Sequence, residues 1–503
     1  MKRLILGLVS AVTLFSAACT VGPGYRPPEG HVPPKWTGIP TDQTGQESVV
    51  SAAPVGLVEW WKSFDDPVLN SLVAEAVKSN LNLQEAEARI LQARAARGVT
   101  ASGLFPSVTT SDSARRSGSG SGAGNSQLTG PATGTSGSFG ARARNLFQVG
   151  LDAAWEMDFF GGVRRSVEAA NADLQAAIED RRDVLVTLTA ELSLNYMELR
   201  GVQQELDIAR KNMDAQQHTA DVTKKRFQVG FASGLDMANA EAQVATTSSQ
   251  IPLLESAERQ SIYNISVLLG REPAALLDQL SVTRLVPATP PVVPIGLPSD
   301  LLRRRPDIRR AEAQLHSATA RIGVATADLF PKFSLTGSTG LQNLTLGSLT
   351  NWSSRFWSVG PGLTLPLFDA GRIRSNIRLQ NAVEQQAMTA YKQTVLTALQ
   401  DVENALIAYQ KEQQHRASLV QAVEANRKAV DLSNRLYTAG QSDFLNVLVT
   451  ERELYSTEDA LARSNQTVNT DLIAIYKALG GGWEHSDGLP SQPVPPAIRR
   501  SGP

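Results

Sequence analysis

The sequence predicts a mainly α-helical protein that also carries a membrane β-barrel, and three observations lead there. From Phe147 onward, Phe147, Val149, Leu151, Ala153, Trp155, Met157 and Phe159 fall at every second place, with Gln148, Gly150, Asp152, Ala154, Glu156 and Asp158 between them. Period two marks a strand with one apolar face. After Gly161-Gly162 the chain runs to Gly230 with no proline and a single glycine, Gly201, and between Gly371 and Gly440 it has neither. At 1.5 Å per residue the second run makes a helix about 100 Å long. Lastly, the chain repeats itself. FQVG at 147–150 returns as WSVG at 357–360, FQVG at 227–230 as YTAG at 437–440, and LLG at 268–270 as ALG at 478–480, all offset by 210 residues.

Upstream of the strands the offset is 225: LNLQEAEARI at 81 matches the region of PDIRRAEAQL at 306, and LFP at 104–106 matches LFP at 329–331. The difference falls between LFP and the next strand, so the first copy has the longer loop there. Each copy reads helix, strand, loop, strand, very long helix, turn, returning helix. The first repeat covers 67–270, with strands at about 104–113 and 146–159, a long helix at 163–229 and a returning helix at 234–269. The second covers 299–480, with strands at about 329–338 and 356–368, a long helix at 372–439 and a returning helix at 443–479. Between them, 271–298 reads as a linker, because PATPPVVPIGLP at 287–298 holds six prolines or glycines that break helix and sheet alike. The tail, 481–503, reads as irregular.

In the first long helix, Leu185, Leu188, Leu192, Tyr196, Leu199, Val202, Leu206, Ala209 and Met213 take eight steps over 28 residues, a mean of 3.5. That is the coiled-coil period, so the helix is expected to wrap a neighbour along its length. The last strand alternates as the opening one does, with Trp357, Val359, Leu363, Leu365 and Leu367 on one face and Pro361 and Pro366 interrupting it, as in an edge or kinked strand.

Four long strands per chain leave two raw edges, and in lipid every backbone N–H and C=O must be paired. Membrane barrels begin at about eight strands, so closure needs several copies, and three copies would make twelve. On this reading the Phe147 set faces lipid and the set with Asp152, Glu156 and Asp158 faces water. Trp155, Phe159, Phe160, Trp352, Phe356 and Trp357 are then expected at the membrane interfaces. The alternative is a soluble sheet with one buried face, although soluble strands average only ~5–6 residues.

A net charge of −1 with no long basic run argues against nucleic acid as a partner, since phosphate binding rests on clustered Lys and Arg. The N-terminus, MKRLILGLVSAVTLFSAAC, joins Lys2 and Arg3 to an apolar run, small residues and Cys19, the one cysteine of the chain. Residues 1–18 read as a signal peptide. Cys19 resembles the acylated first residue of a mature lipoprotein, opening an extended segment at 19–66; the plainer reading is an idle residue of a removed signal. Ser16 stands where such a motif usually has leucine, and Thr20 is not the aspartate that retains bacterial lipoproteins at the inner membrane.

The duplicated plan, the start CTVGPGYRPP followed by Pro33-Pro34-Lys35-Trp36, the paired LFP motifs and VGFASGLDMANAEAQVATTSSQIPLLE together resemble the TolC/OprM outer membrane efflux proteins, and most of all the NodT-type lipoproteins among them. The resemblance covers about 19–483. It implies a homotrimer with a twelve-stranded barrel among outer membrane lipids, continued by a helical tunnel across the periplasm. It also implies a passive exit duct for small toxic molecules, working with a periplasmic adaptor and an inner membrane pump of the RND type. An exit duct for protein secretion and a coiled-coil stalk or adhesin are the competing readings.

A duct needs no catalytic group, cofactor or metal, and none is expected. His31, His218, His316, His415 and His485 are scattered, without metal-like partners at i+4. RRRPDIRR at 303–310 reads as a helix start with solvated arginines. The turns after the long helices carry the functional expectation. Gly230 and Gly440 end those helices, while Ser233 with Asp236, and Asp443 with Asn446, open the returning ones. Ordinary capping accounts for such residues. The resemblance adds that these turns form the closed periplasmic end of the tunnel and meet the adaptor. Tyr437 matches the family's gate tyrosine. TolC has aspartates where Asn446 and Val449 stand and an arginine at Ser442, so hydrophobic or hydrogen-bonded closure near Tyr437, Asn446 and Val449 is expected instead.

Overall fold

The computed structural model describes residues 20–28, 32–38, 48–51, 57–118 and 143–484. The expected signal peptide, Cys19, most of the loop between the first two long strands, and the tail beyond 484 lie outside the described residues. In chain order the elements are β1 (Val49–Ser51), α1 (Pro67–Ser79), α2 (Leu81–Ser102), β2 (Ser107–Ser117), β3 (Arg144–Met157), α3 (Gly162–Gln228) and α4 (Gly234–Leu268). There follow α5 (Leu277–Leu280), β4 (Val292–Pro294), α6 (Pro298–Arg304), α7 (Pro306–Ala327), β5 (Lys332–Asn343), β6 (Arg355–Thr364), α8 (Arg372–Thr438) and α9 (Phe444–Ala478). The chain divides into two compact units, one made of 1–27, 92–174 and 313–388, the other of 28–91, 175–312 and 389–503.

The first unit holds a four-stranded antiparallel sheet in the order β2-β3-β5-β6. Across β3, β5 and β6 the register sorts side chains by chemistry, while β2 sets Thr110, Asp112 and Arg116 on the face of Leu151. On one face stand the rows Leu151–Thr339–Trp357, Ala153–Gly337–Val359, Trp155–Leu335–Pro361 and Met157–Phe333–Leu363. On the other stand Asp152–Ser338–Ser358, Ala154–Thr336–Gly360 and Glu156–Ser334–Gly362. The apolar face is uncovered: Leu151 is 52% exposed, Trp357 79% and Val359 67%. An aqueous sheet buries that face, so its exposure calls for a non-aqueous neighbour.

Two strand starts differ from the alternation reading. Leu104 and Phe105 donate backbone N–H to Ala101 and Ser102 at 3.1 and 3.0 Å, and Leu329 and Phe330 do the same to Thr326 and Ala327. The LFP motifs thus close helices α2 and α7, and the strands begin after the prolines, at Ser107 and Lys332. At the far end β6 stops at Thr364, paired with the first residue of β5. Leu365, Leu367 and Phe368 therefore lie beyond the ladder rather than in it.

Phe356 is a correction to the expected interfacial set. Its register partner is Gly340, which faces Gly150, so its ring lies on the Ser/Thr/Asp face. A Cβ on Gly340 would meet the Val149 carbonyl oxygen and come within 3.0 Å of the Phe356 ring. Glycine at 340 leaves room for both the β3 backbone and the phenyl ring.

The second unit is built on the long helices. Leu185, Leu188, Leu192, Tyr196, Leu199, Val202, Leu206 and Ala209 are all buried, and Met213 is half-buried. The Tyr196 hydroxyl donates to Asp66 Oδ2 at 2.6 Å, while Asp66 Oδ1 accepts from the Val68 and Leu69 amides and caps α1. Burial, helped by that carboxylate, pushes the Tyr196 phenol up to about 12. The linker is less irregular than its prolines suggest. Val292–Pro294 pairs in parallel with Val49–Ser51, and Trp36 Nε1 donates to the Gly296 carbonyl at 3.0 Å. The start of the tail is also ordered: Trp483 is buried, with the Arg182 guanidinium 4.4 Å from its ring centre.

Replacing Gly340 by valine should overpack the sheet by about 1–3 kcal/mol and lower the urea midpoint of the purified protein. Gly360→Ala, where a Cβ meets nothing within 4 Å, should leave the midpoint in place; equal effects would contradict the packing argument.

Candidate functional site

Both long helices end in the same way. At the end of α3 the Phe231 N–H reaches the Arg226 carbonyl at 2.8 Å and the Gly230 N–H reaches Phe227 at 3.0 Å. At the end of α8 the Gln441 N–H reaches Leu436 at 2.8 Å and the Gly440 N–H reaches Tyr437 at 3.0 Å. Gly230 and Gly440 have φ of 81° and 73°, the left-handed conformation that this Schellman arrangement requires and glycine supplies without strain.

The returning helices open differently. Ser233 Oγ accepts from the Asp236 amide at 3.1 Å and Asp236 Oδ2 accepts from the Ser233 amide at 2.9 Å, a reciprocal capping box. Asp443 occupies the same N-terminal place on α9 but makes no side-chain cap bond. Instead Asn446 Nδ2 donates to Ser442 Oγ at 3.0 Å.

Tyr437 does not stand free. It is 6% exposed and packs with Phe444, Val447, Ala220 and Ala240, its ring 5.6 Å from that of Phe444. The Arg226 guanidinium lies 4.4 Å from its ring centre, and Arg226 Nη1 donates to the Tyr437 carbonyl at 3.0 Å. A cation over an aromatic face is worth about 0.5–2 kcal/mol depending on its exposure, and the half-buried Arg226 thereby ties the end of α3 to the end of α8. The Tyr437 hydroxyl is buried with no hydrogen-bond partner. Asn446 and Val449 are exposed, and the structure does not gather them with Tyr437 within one chain. Arg226 was not singled out from the sequence; its one signal there is a basic residue in the last turn of a helix.

In the sheet unit the aromatics fall at both ends of the strands. Near the α3 junction, Trp155 Nε1 donates to the Leu104 carbonyl at 3.0 Å. Phe159 meets Phe333 edge-on at 4.8 Å and Phe160 stacks on Phe330 at 4.6 Å. At the opposite end Trp352 lies in the turn before β6, 77% exposed and beside Arg355. Thr20, which follows Cys19, packs on Gly161, and the Val21 amide donates to the Phe160 carbonyl at 3.2 Å. The chain next to Cys19 is thereby tied to the foot of β3.

Among the described residues no cluster of His, Cys, Asp or Glu could hold a metal ion, and no helix is long and apolar enough to cross a membrane. His316 Nε2 lies 3.1 Å from Glu168 Oε1 and its ring stacks on Tyr25 at 4.2 Å.

An exposed two-faced sheet joined in one chain to paired long helices defines a channel-type outer membrane protein. The family profile described as outer membrane efflux protein matches residues 72–271 and 297–481, and the chain belongs to that family. Nodulation protein T of Rhizobium leguminosarum bv. viciae is 33% identical over 474 residues, covering 94% of this chain and 93% of that protein. The pyoverdine export outer membrane protein OpmQ of Pseudomonas putida is 34% identical over 425 residues, 84% of this chain and 88% of that one. The structure of the outer-membrane channel OprN superposes with a TM-score of 0.84 at 37% identity, covering 93% of this chain and all of that one.

Ser233→Ala should remove about 1 kcal/mol of capping, read as faster amide exchange at 234–237. At the other turn, Tyr437→Ala should cost about 3–5 kcal/mol while Tyr437→Phe, which deletes only an unpaired hydroxyl, should be neutral or stabilising. A large loss in the phenylalanine variant would mean that the hydroxyl has a partner.

Proposed function

We propose that the protein is the outer membrane channel subunit of a tripartite efflux pump, a passive duct for small toxic molecules handed to it by a periplasmic adaptor and an inner membrane pump of the RND type. The observation that carries this reading is the uncovered apolar face that β3, β5 and β6 share in the β2-β3-β5-β6 sheet, backed by a face rich in Ser, Thr, Asp and Gly. Such a sheet fits a barrel wall with lipid outside and water inside. Its strands alternate in direction, so β6 of one copy can meet β2 of the next antiparallel, and three copies close twelve strands. The long helices then carry the pore inward as a periplasmic tunnel. Gly230, Ser233, Asp236, Tyr437, Gly440, Asp443, Asn446 and Val449 form its gate and adaptor-contact end. Trp155, Phe159, Phe160, Trp352 and Trp357 lie at the membrane interfaces.

Cys19 is the lipid anchor on this reading, and the docking of Thr20 and Val21 at the foot of β3 supports it by holding the anchor beside the sheet. Mass spectrometry of the purified protein should show residues 1–18 removed and the N-terminal cysteine acylated, with Cys19→Ser losing both. An unmodified Cys19 in the mature chain would remove the anchor from the account.

Deleting the protein from its host should raise the accumulation of at least one class of dye, antibiotic, detergent or metal salt, and the wild-type chain should restore tolerance. No change for any compound, with a secreted protein retained in the cell, would favour a protein-export duct.

A further inference from the structure

Glu451 lies on α9, about two turns past Asp443, and is 4% exposed. Its Oε1 accepts from Thr219 Oγ1 of α3 at 3.1 Å, and its carboxyl is also hydrogen-bonded by Asn434 of α8. One side chain therefore joins the long helices of both repeats. No charge balances it. From α3 it meets a hydroxyl and from α8 an amide; along α9 its titratable neighbour is Tyr455, whose phenol the Glu451 carboxylate helps to push up. The adjacent His218 and Arg452 are exposed, and none of the ion pairs among the described residues includes Glu451.

The duplication supplies an internal comparison. The 210-residue offset takes Glu451 to Glu241, Asn434 to Lys224 and Thr219 to Ala429. Glu241 is exposed. The same acid thus occurs twice, once in water on a repeat that keeps a lysine, and once buried where both the lysine and the exposure are gone.

Burial without a countercharge favours the acid and outweighs the hydrogen bonds from Thr219 and Asn434, which favour the carboxylate, whereas helices that part would let the group hydrate and ionise. We propose that Glu451 is a proton-operated latch between the two repeats, closed when protonated and released when ionised, beside the α8–α9 turn. Burial raises its carboxyl above the usual carboxylate range. A group raised in the packed state stabilises that state fully below its pKa in the parted state. This contribution is lost as pH rises through the packed-state value. Acid should close the seam and neutral to alkaline pH should loosen it.

The proposal rests on the channel reading only for its electrical readout, so two measurements are paired. For the full-length protein in planar bilayers, open probability should rise as pH increases above the ordinary carboxylate range, by up to about tenfold per pH unit for each Glu451. In detergent, amide exchange at 215–223 and 430–437, corrected for intrinsic rates, should rise with pH in parallel. Glu451→Gln should flatten both profiles at the low-pH level, and Glu241→Gln should leave the wild-type profiles intact. Asn434→Lys restores the cation that the first repeat carries at Lys224 and should move the transition to lower pH by one unit or more, a readout that survives if the glutamine variant fails to fold. A wild-type pH profile in Glu451→Gln, or an unmoved midpoint in Asn434→Lys, overturns the latch. Absence of any channel current with the exchange profile preserved would instead contradict the proposed function.

Discussion

The constraint on which the rest depends is hydrogen bonding at the edges of the sheet, which on the proposed function faces lipid. An unpaired backbone group in hydrocarbon costs several kcal/mol, so a row of them along β2 and another along β6 could not be left open there. Within one chain the order β2-β3-β5-β6 pairs only the inner strands on both sides. The alternation of apolar and polar residues across β3, β5 and β6 is consistent with that demand: the face that water would reject is continuous over these three strands, and their opposite face carries few large apolar side chains besides Leu146 and Phe356.

Duplication solves a second problem. One helix-strand-strand-helix-helix unit supplies two strands and one long hairpin, and two such units supply a sheet segment and a pair of hairpins on the same chain. The backbone of the two copies is nearly the same, down to the glycines at +81° and +73° that end the long helices. The side chains have diverged, with a full capping box at Ser233 and Asp236 but only an Asn446–Ser442 contact at the second turn. Where the hairpins meet, Leu436 stands for Arg226 and Asn434 for Lys224 at the 210-residue offset, so a duplicated backbone can acquire asymmetric behaviour there.

Much of this was legible in the sequence because it rests on local periodicity. Period two from Phe147, period 3.5 from Leu185 and the absence of glycine and proline between Gly371 and Gly440 are properties of single segments. What escaped depends on partners distant in sequence. LFP reads as apolar alternation until the Leu104 and Phe105 amides are seen to close a helix. Val292 and Val293 form a strand only because Val49 and Val50 lie beside them. Phe356 has the right residue type for an interface, but the pleat that puts Trp357 on the apolar face puts Phe356 on the other, where Gly340 of the adjacent strand leaves room for its ring. Likewise Tyr437 was expected at a gate, and its burial against Phe444 under Arg226 follows from contacts no spacing rule contains.

The central claim is that the edges of the sheet are closed by copies of the same chain, three in number. Native mass spectrometry of the protein, extracted from outer membranes in detergent, tests it most directly. A particle of three chains that dissociates only when the sheet unfolds is the expected result. A folded single chain, or an assembly of any other number, would contradict it.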